Sequence, residues 1–192
     1  MTTADPKSPA PLGFLTVLEH ELGLIGGYLV LNAAGRPLEF HCTAPVKPNR
    51  AQQILFGPTL EPYLYGEQIG QALLGKGDAR PGVICTDSSP VLAVRDFTSL
   101  PVALVLARPR AAKDPQSDAA VENTWRLDPP HAAPAGLNTF ELGDNRLAVS
   151  ANRESDRQQI LDRLESLANF DLAEPFERIR EAIQEANKTG QS

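Results

Sequence analysis

Asp87 is the residue in this chain with the most chemical promise. It follows the apolar run Val83 to Thr86 and precedes Ser88, Ser89 and Pro90, so it stands just past the end of a short strand. A carboxylate in that place suits a hard cation: Mg²⁺ and Mn²⁺ take oxygen ligands, and two such ions stabilise both the attacking and the leaving oxygen of a displacement. A site of that kind needs more acids, and Glu19, Glu61 and Glu67 are the candidates. The competing reading is a turn in which Asp87, Ser88 and Ser89 bond to nearby backbone.

Three other groups offer different chemistry. His41, Cys42, Cys85 and Asp87 would gather if their two strands were neighbours. Side chains alternate along a strand, however, so Leu38, Phe40 and Cys42 share one face and Cys85 is in phase with Val83; both thiols read as core. There is no Cys-x-x-Cys pair, so no metal site is expected there. A cysteine meeting His20, His41 or His131 in space is left open by spacing alone. Lys47, Asn49 and Arg50 gather at a predicted helix start, where free N–H groups and the helix dipole favour a phosphate or carboxylate; plain surface cations are the alternative.

The elements that must position these residues follow from pattern. Phe14 to Glu19 predicts a strand stopped by Gly23, Gly26 and Gly27, and Tyr28 to Asn32 with Leu38 to Thr43 predicts an antiparallel hairpin. Asn49 caps a short helix to Phe56, Gly57-Pro58 breaks it, and Thr59 opens a second one to about Leu74. Val83 to Thr86, Val91 to Val94 and Val102 to Ala107 are short apolar runs, the last of them apolar on both faces and so central in a sheet. Gly143-Asp144-Asn145 joins a second hairpin. Two amphipathic helices follow, capped by Ser155 with Gln158 and by Asp171 with Glu174.

The expected fold is α/β, or α+β: an antiparallel meander, then helices and further strands in one mixed sheet, with a C-terminal hairpin and two amphipathic helices. The expected organisation is a tail at 1–12, a core domain at 13–108, a Pro/Ala-rich linker at 109–136 and a C-terminal unit at 137–192. In the last helix Leu172, Phe176, Ile179 and Ile183 form one apolar stripe that some surface should cover: the chain's own domain in the plain reading, a protein partner or a second copy in the functional one.

The stretch GGYLVLNAAGRPLEFHCT, followed by PNRAQQ and VICTDSSPV, resembles the ribonuclease H-like fold over residues 13–95. The matching positions are Gly26-Gly27-Tyr28 as a turn, Asn49-Arg50 at a helix start and Thr86-Asp87-Ser88 at the end of the fourth strand. The resemblance implies a site of several carboxylates on Mg²⁺ or Mn²⁺, with Asp87 as one of them. The pattern departs elsewhere, because the first strand has Thr16 and Val17 at its centre and the helix start has Gln52. It therefore implies a scaffold whose nuclease site is missing or rebuilt.

Composition narrows the rest. The net charge is −6, from 18 Lys and Arg against 24 Asp and Glu, which argues against nucleic acid held on a general basic surface. No apolar stretch reaches the roughly 18–20 residues of a membrane span, the start is polar and Pro-rich, and only two cysteines are present. Together these predict a cytoplasmic protein without membrane attachment. The leading expectation is a non-catalytic, cofactor-free module for protein interaction, with a regulatory role. The alternatives are a metal-dependent nuclease or phosphotransfer enzyme centred on Asp87, and a small-ligand sensor using a cavity above the sheet.

Overall fold

The computed structural model describes residues 10–106 and 136–189. The expected linker, apart from Gly136, and most of the expected N-terminal tail lie outside the described residues. Seven strands form one mixed sheet: β1 (Leu12–His20), β2 (Gly23–Leu31), β3 (Pro37–Cys42), β4 (Val83–Thr86), β5 (Val102–Leu106), β6 (Leu137–Leu142) and β7 (Asn145–Ser150). Their order is β3-β2-β1-β4-β5-β7-β6. The first three form an antiparallel meander, β4 and β5 run parallel to β1, and β7 returns antiparallel beside β5. This is the expected α/β architecture, and the C-terminal hairpin extends the same sheet.

Each face of the sheet carries its own layer. One face packs Leu15, Val17 and Val30 against a nearly continuous helical segment. That segment comprises α1 (Arg50–Phe56), a 3-10 turn, α2 (Leu60–Pro62), a π-helical stretch (Tyr63–Gln71) and α3 (Ala72–Lys76). The run Val91 to Val94, expected as a strand, lies instead in the 3-10 stretch Ser89–Phe97 on this face. Pro90 in its first turn fixes a helical φ, and Val91, Leu92 and Val94 bury themselves downward. The other face packs Leu12, Phe14, Leu29 and Leu31 against α4 (Glu154–Leu164) and α5 (Glu174–Thr189).

The glycines of β2 correct the sequence reading most sharply. Gly26 and Gly27 were expected at a turn that stops the first strand; they lie in the middle of β2, paired with Val17 and Thr16. Because neighbours on a strand face opposite ways, each opens space on one side. A methyl group on Gly26 would fall on Ile69 Cγ2, and one on Gly27 would fall on Ile179 Cγ2 with Ile183 Cδ1 at 2.9 Å. Both helical layers therefore touch the sheet at this dipeptide.

The stripe Leu172, Phe176, Ile179 and Ile183 is fully or nearly fully buried in the core, with Phe176 set edge-on to Phe14 at 5.6 Å between ring centroids. Of the two readings of the stripe, packing within the chain holds and the partner surface is overturned: the sheet itself covers it. Asn145 holds the connection between the two helices, donating to the Phe170 carbonyl at 2.8 Å and accepting from the Leu172 amide at 3.1 Å. The expected Ser155 cap is also absent, since a 3-10 turn at Ala151–Arg153 leads directly into α4 at Glu154.

Filling the space above Gly27 tests this arrangement. Gly27→Ala should cost about 1–3 kcal/mol in urea unfolding, the usual range for overpacking. Ile179→Ala should cost less in that variant than in the parent, since it removes the methyl that clashes. Additive losses would mean that the two residues do not meet.

Candidate functional site

Sheet register brings the central residues together before any side chain is considered. Phe14 pairs with Cys85 where β1 and β4 run parallel, so two residues further on Thr16 faces Asp87 on the same side. Thr16 also lies opposite Gly27, the seat of Ile179. The next residue of α5, Arg180, thereby reaches the carboxyl end of β4. Its neighbours Arg178 and Ile179 fix the helix at two other points, the Gly35 carbonyl at 2.9 Å and Gly27.

The resulting cluster is Thr16, Asp87, Arg180 and Glu177. The Thr16 hydroxyl donates to Asp87 Oδ1 at 2.6 Å, and Arg180 Nη2 makes an ion pair with Asp87 Oδ2. Arg180 Nη1 bonds Glu177 Oε1 at 2.6 Å. Thr16 is buried, the Asp87 side chain is 18% exposed and that of Arg180 is 34% exposed. A cleft of about 250 Å³ opens beside them, walled by Val105, Leu106 and Phe176.

This donor set does not fit the metal that the ribonuclease H-like resemblance implies. Both oxygens of Asp87 are engaged, one by a hydroxyl and the other by a guanidinium that brings its own positive charge. Among the described residues no group of three or more His, Cys, Asp or Glu could hold a metal ion. Glu19 and Glu61 belong elsewhere. Glu19 is in phase with Leu15 and Val17, on the opposite face from Thr16, and accepts a hydrogen bond from the Tyr65 phenol. Burial raises that phenol above its ordinary pKa, and the charges of Glu19 and Glu61 add to the shift. Glu67 is exposed on the π-helical stretch.

The remaining expectations resolve by position. His41 and Cys42 lie on β3 and Cys85 on β4, with β2 and β1 between them, a gap of about 14 Å at the usual strand spacing. Cys42 is not core as expected but exposed: β3 is an edge strand, and Leu38 and Phe40 on the same face are exposed with it. His41 bonds Glu39 at 3.0 Å. Cys85 is buried, and burial pushes its thiol up to about 12. At the start of α1, Asn49 and Gln52 cap each other's backbone amides at 2.8 and 2.9 Å, so two donors that an anion would use are taken. Lys47 and Arg50 are exposed beside them.

Sequence reasoning missed Arg180. A signal was present, because Arg180 stands four residues after Phe176 and three before Ile183, at the margin of the apolar stripe.

No protein-family model and no curated protein matches the chain. Solved structures that resemble it include two of endonuclease V from Ciona intestinalis. Both are complexes with DNA containing an inosine followed by a ribo-adenosine, a 23-mer with a variant enzyme and a 24-mer. The TM-scores are 0.34 and 0.32, each at 14% identity over 51% of this chain and 46% of the other. This chain thus spans a little under half the length of those it matches. Both of those neighbours are complexes with nucleic acid, a class of partner that the net charge of this chain made unexpected as a general one.

Two measurements follow. Asp87→Ala strands the buried Thr16 hydroxyl and leaves Arg180 only Glu177, and should cost about 1–3 kcal/mol, or several degrees in Tm. An unchanged Tm would mean the cluster is not formed. With a thiol reagent, Cys42 should react quickly in the folded protein and Cys85 only in denaturant; rapid loss of both thiols would contradict the burial of β4.

Proposed function

We propose that the chain is a non-catalytic module in which the carboxylate at the end of β4 is locked by an arginine of its own last helix. The observation that carries this reading is the double engagement of Asp87 by Thr16 and Arg180. A guanidinium there supplies the positive charge that a carboxylate cluster would otherwise draw from a metal ion, and it does so without an open coordination position. What remains is a scaffold with a shallow cleft, suited to binding rather than to bond cleavage.

The rival reading is a metal-dependent nuclease or phosphotransfer enzyme. It is favoured by the placement of Asp87 at the carboxyl end of a parallel strand, and by the partial exposure of Arg180, whose outward turn would release the carboxylate.

One assay separates the two. The full chain is incubated with inosine-containing DNA, single- and double-stranded, with Mg²⁺ or Mn²⁺ and with a chelator, beside an Asp87→Asn variant. The expected result is binding or no binding, without cleavage above the chelator control. Metal-dependent cleavage that disappears in Asp87→Asn would overturn the proposal and establish the enzyme.

A further inference from the structure

A second cavity lies under the amino ends of β4 and β5, at the opposite end of those strands from Asp87. Its volume of about 290 Å³ equals that of roughly ten water molecules in the liquid. Leu74, Pro81 and Leu100 give it apolar walls, and the Tyr28 side chain, only 2% exposed as a residue, reaches into it between Gly13 and Gly77.

Tyr28 is the telling residue. Its hydroxyl takes part in no hydrogen bond among the described residues, yet no fully enclosed side-chain nitrogen or oxygen there lacks a partner. The hydroxyl therefore faces the open space of the cavity. In the free protein water can accept from this hydroxyl, and an oxygen on a ligand can take the place of that water. Two more donors line the space. Thr98 accepts from the Leu100 amide at 3.2 Å, which leaves its own proton free, and Arg80 is exposed at the rim without a carboxylate partner among the described residues.

The wall is held in advance. Glu39 on β3 accepts from the Ala79 amide at 2.8 Å and the Asp78 amide at 3.1 Å, and it bonds His41. Desolvation pushes the Glu39 carboxyl up, but the Ala79 amide, the His41 ring and the Asp78 amide together outweigh it and hold the group below its ordinary value. An ionised Glu39 thus keeps the loop before β4 against the sheet, so a ligand need not order it.

From this geometry we infer that the cavity binds a small aromatic carboxylate with a second oxygen at its far end. The ring lies among Leu74, Pro81 and Leu100, the carboxylate meets Arg80, and the far oxygen accepts from Tyr28. The inference is independent of the Asp87 cluster.

The test uses 4-hydroxybenzoate as probe, with benzoate and inorganic phosphate as comparisons, titrated calorimetrically into the full chain. The hydroxylated probe should bind saturably below about 10 mM, the range for ligands of this size, and more tightly than benzoate. Tyr28→Phe should weaken it about fivefold, to the level of benzoate, while leaving benzoate itself unchanged. Arg80→Gln should weaken both about tenfold. Tyr28→Phe should melt no lower than the parent, because no protein partner is lost. Three results would each overturn the inference: no saturation by 4-hydroxybenzoate, affinities indifferent to both substitutions, or phosphate binding as well as the aromatic acids, which would mean Arg80 acts alone.

Discussion

The seating of Ile179 on Gly27 is the contact on which the rest of the molecule depends. A β-strand residue with any side chain at position 27 would lift α5 off the sheet, and with it the cover over Phe14, Leu29 and Leu31. Gly26 performs the same service for the other layer, beneath Ile69 and Leu73. Two adjacent residues thus set the thickness of the molecule on both sides. Three consecutive residues of α5 then share the task of registration: Arg178 on the Gly35 carbonyl, Ile179 on Gly27 and Arg180 on Asp87.

That coupling explains why the Asp87 cluster is structural as well as chemical in character. Arg180 is placed by packing one residue away, and the charge on Asp87 is in turn neutralised by a helix whose other face is core. A change at the cluster is therefore felt in the fold. The Tyr28 cavity has a different character. Its walls are fixed by apolar packing and by the Glu39 clasp, while the Tyr28 hydroxyl bonds no group among the described residues, so chemistry there is separable from stability.

Much of the architecture was legible in the sequence because strand and helix periods are local. The hairpin from β2 to β3, the doubly apolar β5 and Phe176, Ile179 and Ile183 of α5 stand where the pattern put them, while Leu172 falls just before that helix. What failed depended on the order of strands in space. Cys42 looked like core because it alternates correctly with Leu38 and Phe40, but an edge strand leaves that face uncovered. Gly26 and Gly27 looked like a turn because glycine breaks strands in isolation; only the approach of two helices gives them a reason to be inside one. Asp87 was found from its place after an apolar run, whereas its partners come from β1 and from the far end of the chain, beyond the reach of any local pattern.

The placement of α5 has a consequence for how this polypeptide is made. The first meander is complete as soon as β3 leaves the ribosome, but α5, which covers one of its faces, begins only at Glu174. Until then Phe14, Leu29 and Leu31 remain wet, next to the bare edge of β3. Closing that gap joins Phe14 to Phe176, a contact of long sequence separation and so a slow event by the usual dependence of rate on loop closure. The nascent chain accordingly carries a half-finished apolar sheet from the end of β3 until α5 has been made, the kind of exposed surface on which aggregation begins.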